Sequence, residues 1–167
     1  TGQTYTTSGN YTATLLGSAG CDSVINLDLT IQSCATELNL KLFIQGYYAG
    51  SSTMNPVFFY LSVSIYPTET DSIDVSLYAD QYPYPLVATV RVVLSTTGNA
   101  SCVFPSLSGS YYIGIKGRNT LNTWSADPVI LDGANPANYD FSTAATQAYG
   151  GNQFEVENGV WAFYSGD

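Results

Sequence analysis

An all-β protein is what this sequence predicts, and three observations carry the prediction. Apolar residues recur at every second position in run after run, as half-buried strands require, while no window of helical length holds a stripe at 3.6-residue spacing. The runs are short and are bounded by Gly, Pro, Asn or Asp, the residues that punctuate strands. A chain of 167 residues with 45% hydrophobic content can build one sizeable core, or a core and a small appended hairpin. Together they predict an antiparallel β-sandwich, immunoglobulin-like or jelly-roll-like, with an N-terminal β-hairpin; a closed barrel is the alternative.

The elements follow in order. Residues 10–31 form the hairpin, with Ile25, Leu27, Leu29 and Ile31 alternating against Asn26, Asp28 and Thr30. The polar stretch from Gln32 to Glu37 is a break, so the chain divides into a partial repeat at 1–33 and a sandwich module at 34–167. Leu38, Leu40, Leu42 and Ile44 then alternate with Asn39, Lys41, Phe43 and Gln45, which predicts a central strand. A strand is expected at 58–65, and the alternations Ile73-Val75-Leu77-Ala79, Val90-Val92-Leu94 and Tyr111-Ile113-Ile115 predict three more. Residues 154–163 complete the set. Proline cannot donate to a ladder, so Tyr82-Pro83-Tyr84-Pro85 and the stretch from Asp132 to Pro136 are loops or edges.

Charge excludes two classes of partner. Four basic residues against thirteen acidic ones give a net charge of −9, which offers no footprint for a phosphate backbone or anionic lipid. The longest apolar runs, 56–61 and 90–94, are far too short to span a bilayer. The first residues lack the pattern of a secretory leader, so any leader is expected to be removed or to lie far upstream. Neither nucleic acid nor membrane insertion is expected. Few charges with many Tyr, Thr, Ser, Asn and Gly match the surface chemistry of exported β-proteins.

Catalytic chemistry finds little support. The chain has no histidine, which excludes Ser-His-Asp and Cys-His mechanisms and imidazole-bound zinc. Glu155 and Glu157 sit on one face of an expected strand, about 7 Å apart by strand rise, but alternating acids are ordinary on an exposed sheet face. No cofactor is expected; calcium at Asp127, Asp132 and Asp140 is the one alternative, set against turn aspartates that close Asx-turns. Aromatics are the excess that matters: fourteen Tyr, seven Phe and two Trp. Sugars present flat apolar faces edged with hydroxyls, so exposed Tyr and Trp beside amides and guanidinium groups make a carbohydrate platform. Candidates are Tyr47, Tyr48, Tyr82, Tyr84 and Trp124, with Arg118, Asn119 and Asn122 as polar edges. Against that reading, Tyr is a good strand residue, Tyr111, Tyr112, Trp161 and Phe163 alternate as core and cross-strand pairs would, and Arg118 near Trp124 would serve as a buried structural latch.

The blocks Ser8-Gly9-Asn10-Tyr11-Thr12, Ala19-Gly20-Cys21-Asp22-Ser23 and Leu27-Asp28-Leu29-Thr30-Ile31 resemble the SGTYT…AGCDS…LxLTI repeats near the C-termini of Bacteroidota secreted and cell-surface proteins, many of them exported by type IX secretion. From Leu38 onward the resemblance is to a module of the same proteins, carried by residues 38–48, by 110–119 with Thr123-Trp124-Ser125, and by Val160-Trp161-Ala162-Phe163-Tyr164-Ser165-Gly166-Asp167. In that family the last block usually runs into a dockerin-like calcium loop and a sorting domain. Family members often have Lys-His-Arg-Asn where this chain has Lys116-Gly117-Arg118-Asn119. The resemblance implies an extracellular or cell-surface home.

Three cysteines are an odd count in an oxidising compartment. Such repeats usually carry an earlier Cys, so the resemblance leaves Cys21 as the lone thiol and pairs Cys34 with Cys102, the rival pairing being Cys21 with Cys34. It also implies O-glycosylation at Ser23 and Ser72, within Asp22-Ser23-Val24 and Asp71-Ser72-Ile73. The expected function is a non-catalytic structural or adhesive segment of a larger secreted or surface protein, self-associating through the open edge of its hairpin. The alternative is a carbohydrate-binding module that holds an attached hydrolase on a polysaccharide.

Overall fold

The computed structural model describes residues 4–15, 17, 20–30 and 35–166. The chain divides into two compact units, Thr1–Cys34 and Ala35–Asp167. The first contains one hairpin, β1 (Gly9–Leu15) and β2 (Ser23–Leu29), paired antiparallel from Gly9 opposite Leu29 to Leu15 opposite Ser23. Two strands alone have no second layer to cover them. Val24, Ile25 and Leu27 are accordingly exposed, where the alternation predicts a half-buried strand. Ile31 lies outside the described residues.

The second unit holds the remaining strands: β3 (Thr36–Lys41), β4 (Tyr48–Gly50), β5 (Thr53–Met54), β6 (Glu69–Ala79), β7 (Leu86–Ser95), β8 (Asn99–Phe104), β9 (Gly109–Gly117), β10 (Thr120–Trp124), β11 (Val129–Leu131), β12 (Ala137–Asp140), β13 (Gln153–Glu157) and β14 (Val160–Phe163). One sheet runs β10-β9-β6-β7, with β11 also paired to β9; a second runs β12-β3-β8. Their inward side chains form a single core: Ile73, Val75 and Leu77 of β6, Ile113 and Ile115 of β9, Leu38 and Leu40 of β3, and Cys102 and Phe104 of β8. This is a sandwich-like all-β fold, and β3 is the central strand of its smaller sheet.

Three expectations are corrected. Pairing is not wholly antiparallel, because β12 runs parallel to β3 from Ala137 opposite Leu38 to Asp140 opposite Lys41. β3 ends at Lys41, so the alternation breaks and Phe43 turns inward beside Leu42 and Ile44. Phe163 N–H donates to the Phe43 carbonyl at 2.8 Å, tying the β13-β14 hairpin to that point. Residues 58–65 are not a strand: one helical turn, α1 (Val57–Tyr60), opens an exposed loop in which the Tyr60 and Leu61 amides return to the Pro56 and Val57 carbonyls. Cys102, whose thiol is free, is fully buried on β8 opposite Leu38 and faces the core. Its expected partner Cys34 lies outside the described residues, and Cys21 is free and exposed.

Candidate functional site

The outer face of the larger sheet collects the aromatic and polar residues. Strand parity decides this. With Ile73, Val75 and Leu77 committed to the core, Asp74, Ser76 and Tyr78 of β6 must point outward, and Tyr112, Gly114 and Lys116 of β9 do the same opposite them. Register then lays out rows across the sheet. Lys116, Asp74 and Arg91 share one row, Trp124, Gly114, Ser76 and Thr89 the next, and Tyr112 and Tyr78 the third.

Gly114 explains the centre of this face. A Cβ there would stand 2.7 Å from the Tyr78 ring and 3.4 Å from the Trp124 indole nitrogen, so only a bare backbone lets both rings lie across it. Tyr78 and Trp124 consequently stack, with ring centroids 4.1 Å apart and planes inclined by 23°. Tyr112 lies 6.2 Å from Trp124, Tyr84 meets Tyr112 edge-on at 5.8 Å, and Tyr82 meets Tyr84 edge-on at 6.1 Å. Tyr82 and Tyr84 reach the row from the β6-β7 loop, where Tyr84 holds a left-handed φ of 56°.

Tyr149 closes the far side. It follows Ala148, which bridges Ser125 just beyond Trp124, while Ala126 N–H donates to the Gln147 carbonyl at 2.9 Å. Gly150 and Gly151, at φ of 66° and 65°, turn the chain away immediately afterwards. Tyr84, Tyr112, Trp124 and Tyr149 then line a hollow of about 390 Å³. Trp124 is shared with an adjoining depression of about 190 Å³ whose walls include the polar groups of Asp74, Ser76, Thr89, Lys116 and Asn122. Ser76 and Thr89 hydroxyls pair across the sheet at 2.8 Å.

Of the residues expected from sequence, Trp124, Tyr82, Tyr84 and Asn122 lie on this face. Four do not join the row. Tyr47 is buried, its hydroxyl donating to Asp71 Oδ2 at 2.7 Å, and burial with that carboxylate pushes its pKa up. Arg118 is not the buried latch expected beside Trp124: its side chain is exposed, and it donates to Asp71 Oδ2 of the same cluster at 2.9 Å. Tyr48 packs edge-on against Phe43 and donates to Glu157 Oε2 at 2.6 Å, which holds the Glu157 carboxyl below its usual range. Asn119 sits in the β9-β10 turn, its amide beside Gly46. Sequence reading missed Tyr78, Tyr112 and Tyr149.

The acids are engaged separately. Glu155 accepts from Gly159 N–H at 2.9 Å, Glu157 from Tyr48 and from Ser51 N–H at 2.9 Å, and a register shift separates the two along β13. Asp132 closes its own turn by accepting from Ala134 and Asn135 N–H, both at 2.9 Å, which lowers its pKa. Asp140 caps the following turn through Ser142 N–H at 2.8 Å. Among the described residues, no three of His, Cys, Asp and Glu gather where one ion could take them. Ser23 is exposed at the start of β2, and Ser72 is half-buried on the outer face of β6. Comparison with family models, curated proteins and solved structures gives no match.

Proposed function

We propose that residues 35–167 form a non-catalytic carbohydrate-binding module, the adhesive part of a larger extracellular bacterial protein. The observation that carries this reading is the row of touching rings from Tyr78 through Trp124, Tyr112 and Tyr84 to exposed Tyr82, with exposed Tyr149 across a hollow from it and hydroxyls, an amide and charged groups beside it. Sugar rings stack their C–H faces on such rings while their hydroxyls take the neighbouring polar groups. Strands β6, β9 and β10 hold Tyr78, Tyr112 and Trp124 in fixed spacing, so the face suits a chain of linked rings better than one small molecule. Glu155 and Glu157, each held by its own partners, favour binding over hydrolysis. The extracellular setting and bacterial source rest on the resemblance of the repeat-like blocks.

Titration calorimetry against a panel of soluble polysaccharides tests the reading. Micromolar binding to at least one, weakened at least about tenfold (about 1.4 kcal/mol) by Trp124→Ala, is expected. Binding to none, or binding indifferent to Trp124→Ala, would overturn it.

A structural role as a spacer is the second reading, and the hairpin favours it. Its exposed Ile25 and Leu27 and its two open edges suit pairing with a second copy of the same unit. Sedimentation of residues 1–167 should then show concentration-dependent self-association that Ile25→Ser with Leu27→Ser abolishes.

A further inference from the structure

The chain has four Lys and Arg residues in all, and three of them line one groove. The groove, about 470 Å³, lies on the outer face of the larger sheet, where Arg91, Lys116 and Arg118 stand over Asp71, Ser72 and Asp74, with Phe58 and Val63 as an apolar wall. Two carboxylates there are already answered. Arg91 clasps Asp74 through two bonds of 2.7 and 2.9 Å, and Arg118 meets Asp71 at 2.9 Å. Lys116 faces Asp74 across the sheet without an ion pair of its own among the described residues, so the groove holds one cation in excess in a molecule of net charge −9. Both arginine side chains stay more than half exposed, leaving N–H groups directed to solvent. The wall opposite is uncharged throughout, since residues 51–68 contain no Asp, Glu, Lys or Arg.

Position gives this groove its meaning. It shares Asp74 and Lys116 with the polar depression, which in turn shares Trp124 with the aromatic hollow, so one track runs from Tyr149 to Arg118. We propose that the groove receives an anionic substituent, a carboxylate or sulfate, of the glycan whose rings lie on the aromatic row, and so selects acidic polysaccharides over neutral ones. The inference rests on the carbohydrate-binding reading. An anion here meets a lysine held by strand β9 and two guanidinium groups whose positions are fixed by Asp71 and Asp74, a preorganised set of charge-assisted donors. The surrounding negative field repels a free anion, so the rings must supply part of the binding. A short anion alone should bind weakly.

Matched pairs of polymers separate charge from sugar: polygalacturonate with its full methyl ester, and a sulfated galactan with its desulfated product. The acidic member of at least one pair should bind about tenfold tighter at low salt, and the gap should close near 0.5 M salt as screening shortens. Lys116→Gln should remove most of that gap, and Lys41→Gln on β3 should leave the gap intact. Which pair shows the gap tells carboxylate from sulfate. Equal binding of both members in both pairs would overturn the inference while sparing the aromatic site, whose own test is Trp124→Ala. Polyglutamate binding as tightly as the acidic glycans, and unchanged by Trp124→Ala, would also overturn it by showing a peptide site.

Discussion

At the residue scale, one glycine decides the geometry of the site. Gly114→Ala drives a methyl into the Tyr78 ring, which must leave its stack on Trp124. The variant should lose about 1 to 3 kcal/mol of stability, the range for overpacking, and its polysaccharide affinity should fall by about tenfold. Denaturant unfolding and calorimetry on one preparation check both. Part of this site was legible in the sequence. Trp124, Tyr82, Tyr84 and Asn122 stand beside turn signals, and turn residues are exposed. Tyr112 was legible in principle, because the residue before a buried Ile113 must face the other way; Tyr78 likewise continues the outward parity of Asp74 and Ser76. Tyr149 was not, since only the Ser125 to Ala148 bridge brings it to Trp124. Cys102 illustrates the opposite limit. Its position on β8 shows a thiol turned into apolar core, which burial pushes up to about 12, so the reactive thiolate is absent at neutral pH. Iodoacetamide at a pH of about 8 should alkylate Cys21 in the native protein and leave Cys102 untouched. In denaturant without reductant Cys102 should become labelled; recovery of a Cys34 to Cys102 peptide instead would restore the bridge expected from sequence.

At the scale of elements, alternation located strands well wherever a strand has one wet face. β3 is the clearest case: Leu38 and Leu40 alternate with Asn39 and Lys41 because one side meets the core. Leu40→Ala should cost about 2 to 5 kcal/mol by denaturant unfolding, the range for a leucine cavity. A loss near that of a surface change would mean that the site collapses around the smaller side chain. Where strands are short or a segment is apolar without alternation, the signal fails. Ala137–Asp140 offers only four residues, too few to show its period or its parallel pairing to β3. The run Val57-Phe58-Phe59-Tyr60-Leu61 has strand composition, yet Asn55 and Pro56 precede a single helical turn that leaves Phe59, Tyr60 and Leu61 exposed. β-propensity measures fit to a half-buried pleated surface, and this segment has no such surface to join. Every buried hydrophobic side chain of the described core lies between Leu38 and Phe163. A fragment of residues 35–167 should therefore fold alone, with strand circular dichroism and one cooperative transition.

At the scale of the whole molecule, titration should bracket stability on both sides. Asp74 is held below the usual carboxylate range chiefly by the Arg91 hydrogen bonds, Asp132 by backbone N–H groups of its turn, and Glu157 by the Tyr48 hydroxyl. A carboxylate depressed by folding contributes stability that is whole above its unfolded pKa, near 4, and is lost as pH falls through the folded value. Tyr47, Tyr48 and Tyr139 move the other way, raised chiefly by burial. Their neutral forms are favoured by the fold, so their contribution is whole below the unfolded tyrosine pKa, near 10, and is lost as pH rises through the folded values. No histidine titrates between these limits, but the Cys102 thiol, pushed up to about 12 by burial from an unfolded value near 8.5, adds a contribution that is whole below about pH 8.5 and is lost as pH rises toward the folded value. Unfolding free energy measured at a series of pH values should form a plateau between about pH 5 and 8, falling on each side. Tyr139→Phe, which removes a hydroxyl that donates to the Gln147 carbonyl at 2.7 Å, should lessen the fall above about pH 10 and leave the acid one unchanged. A plateau broken near pH 6.5, or a limb above about pH 10 untouched by that substitution, would show that other groups set the pH response.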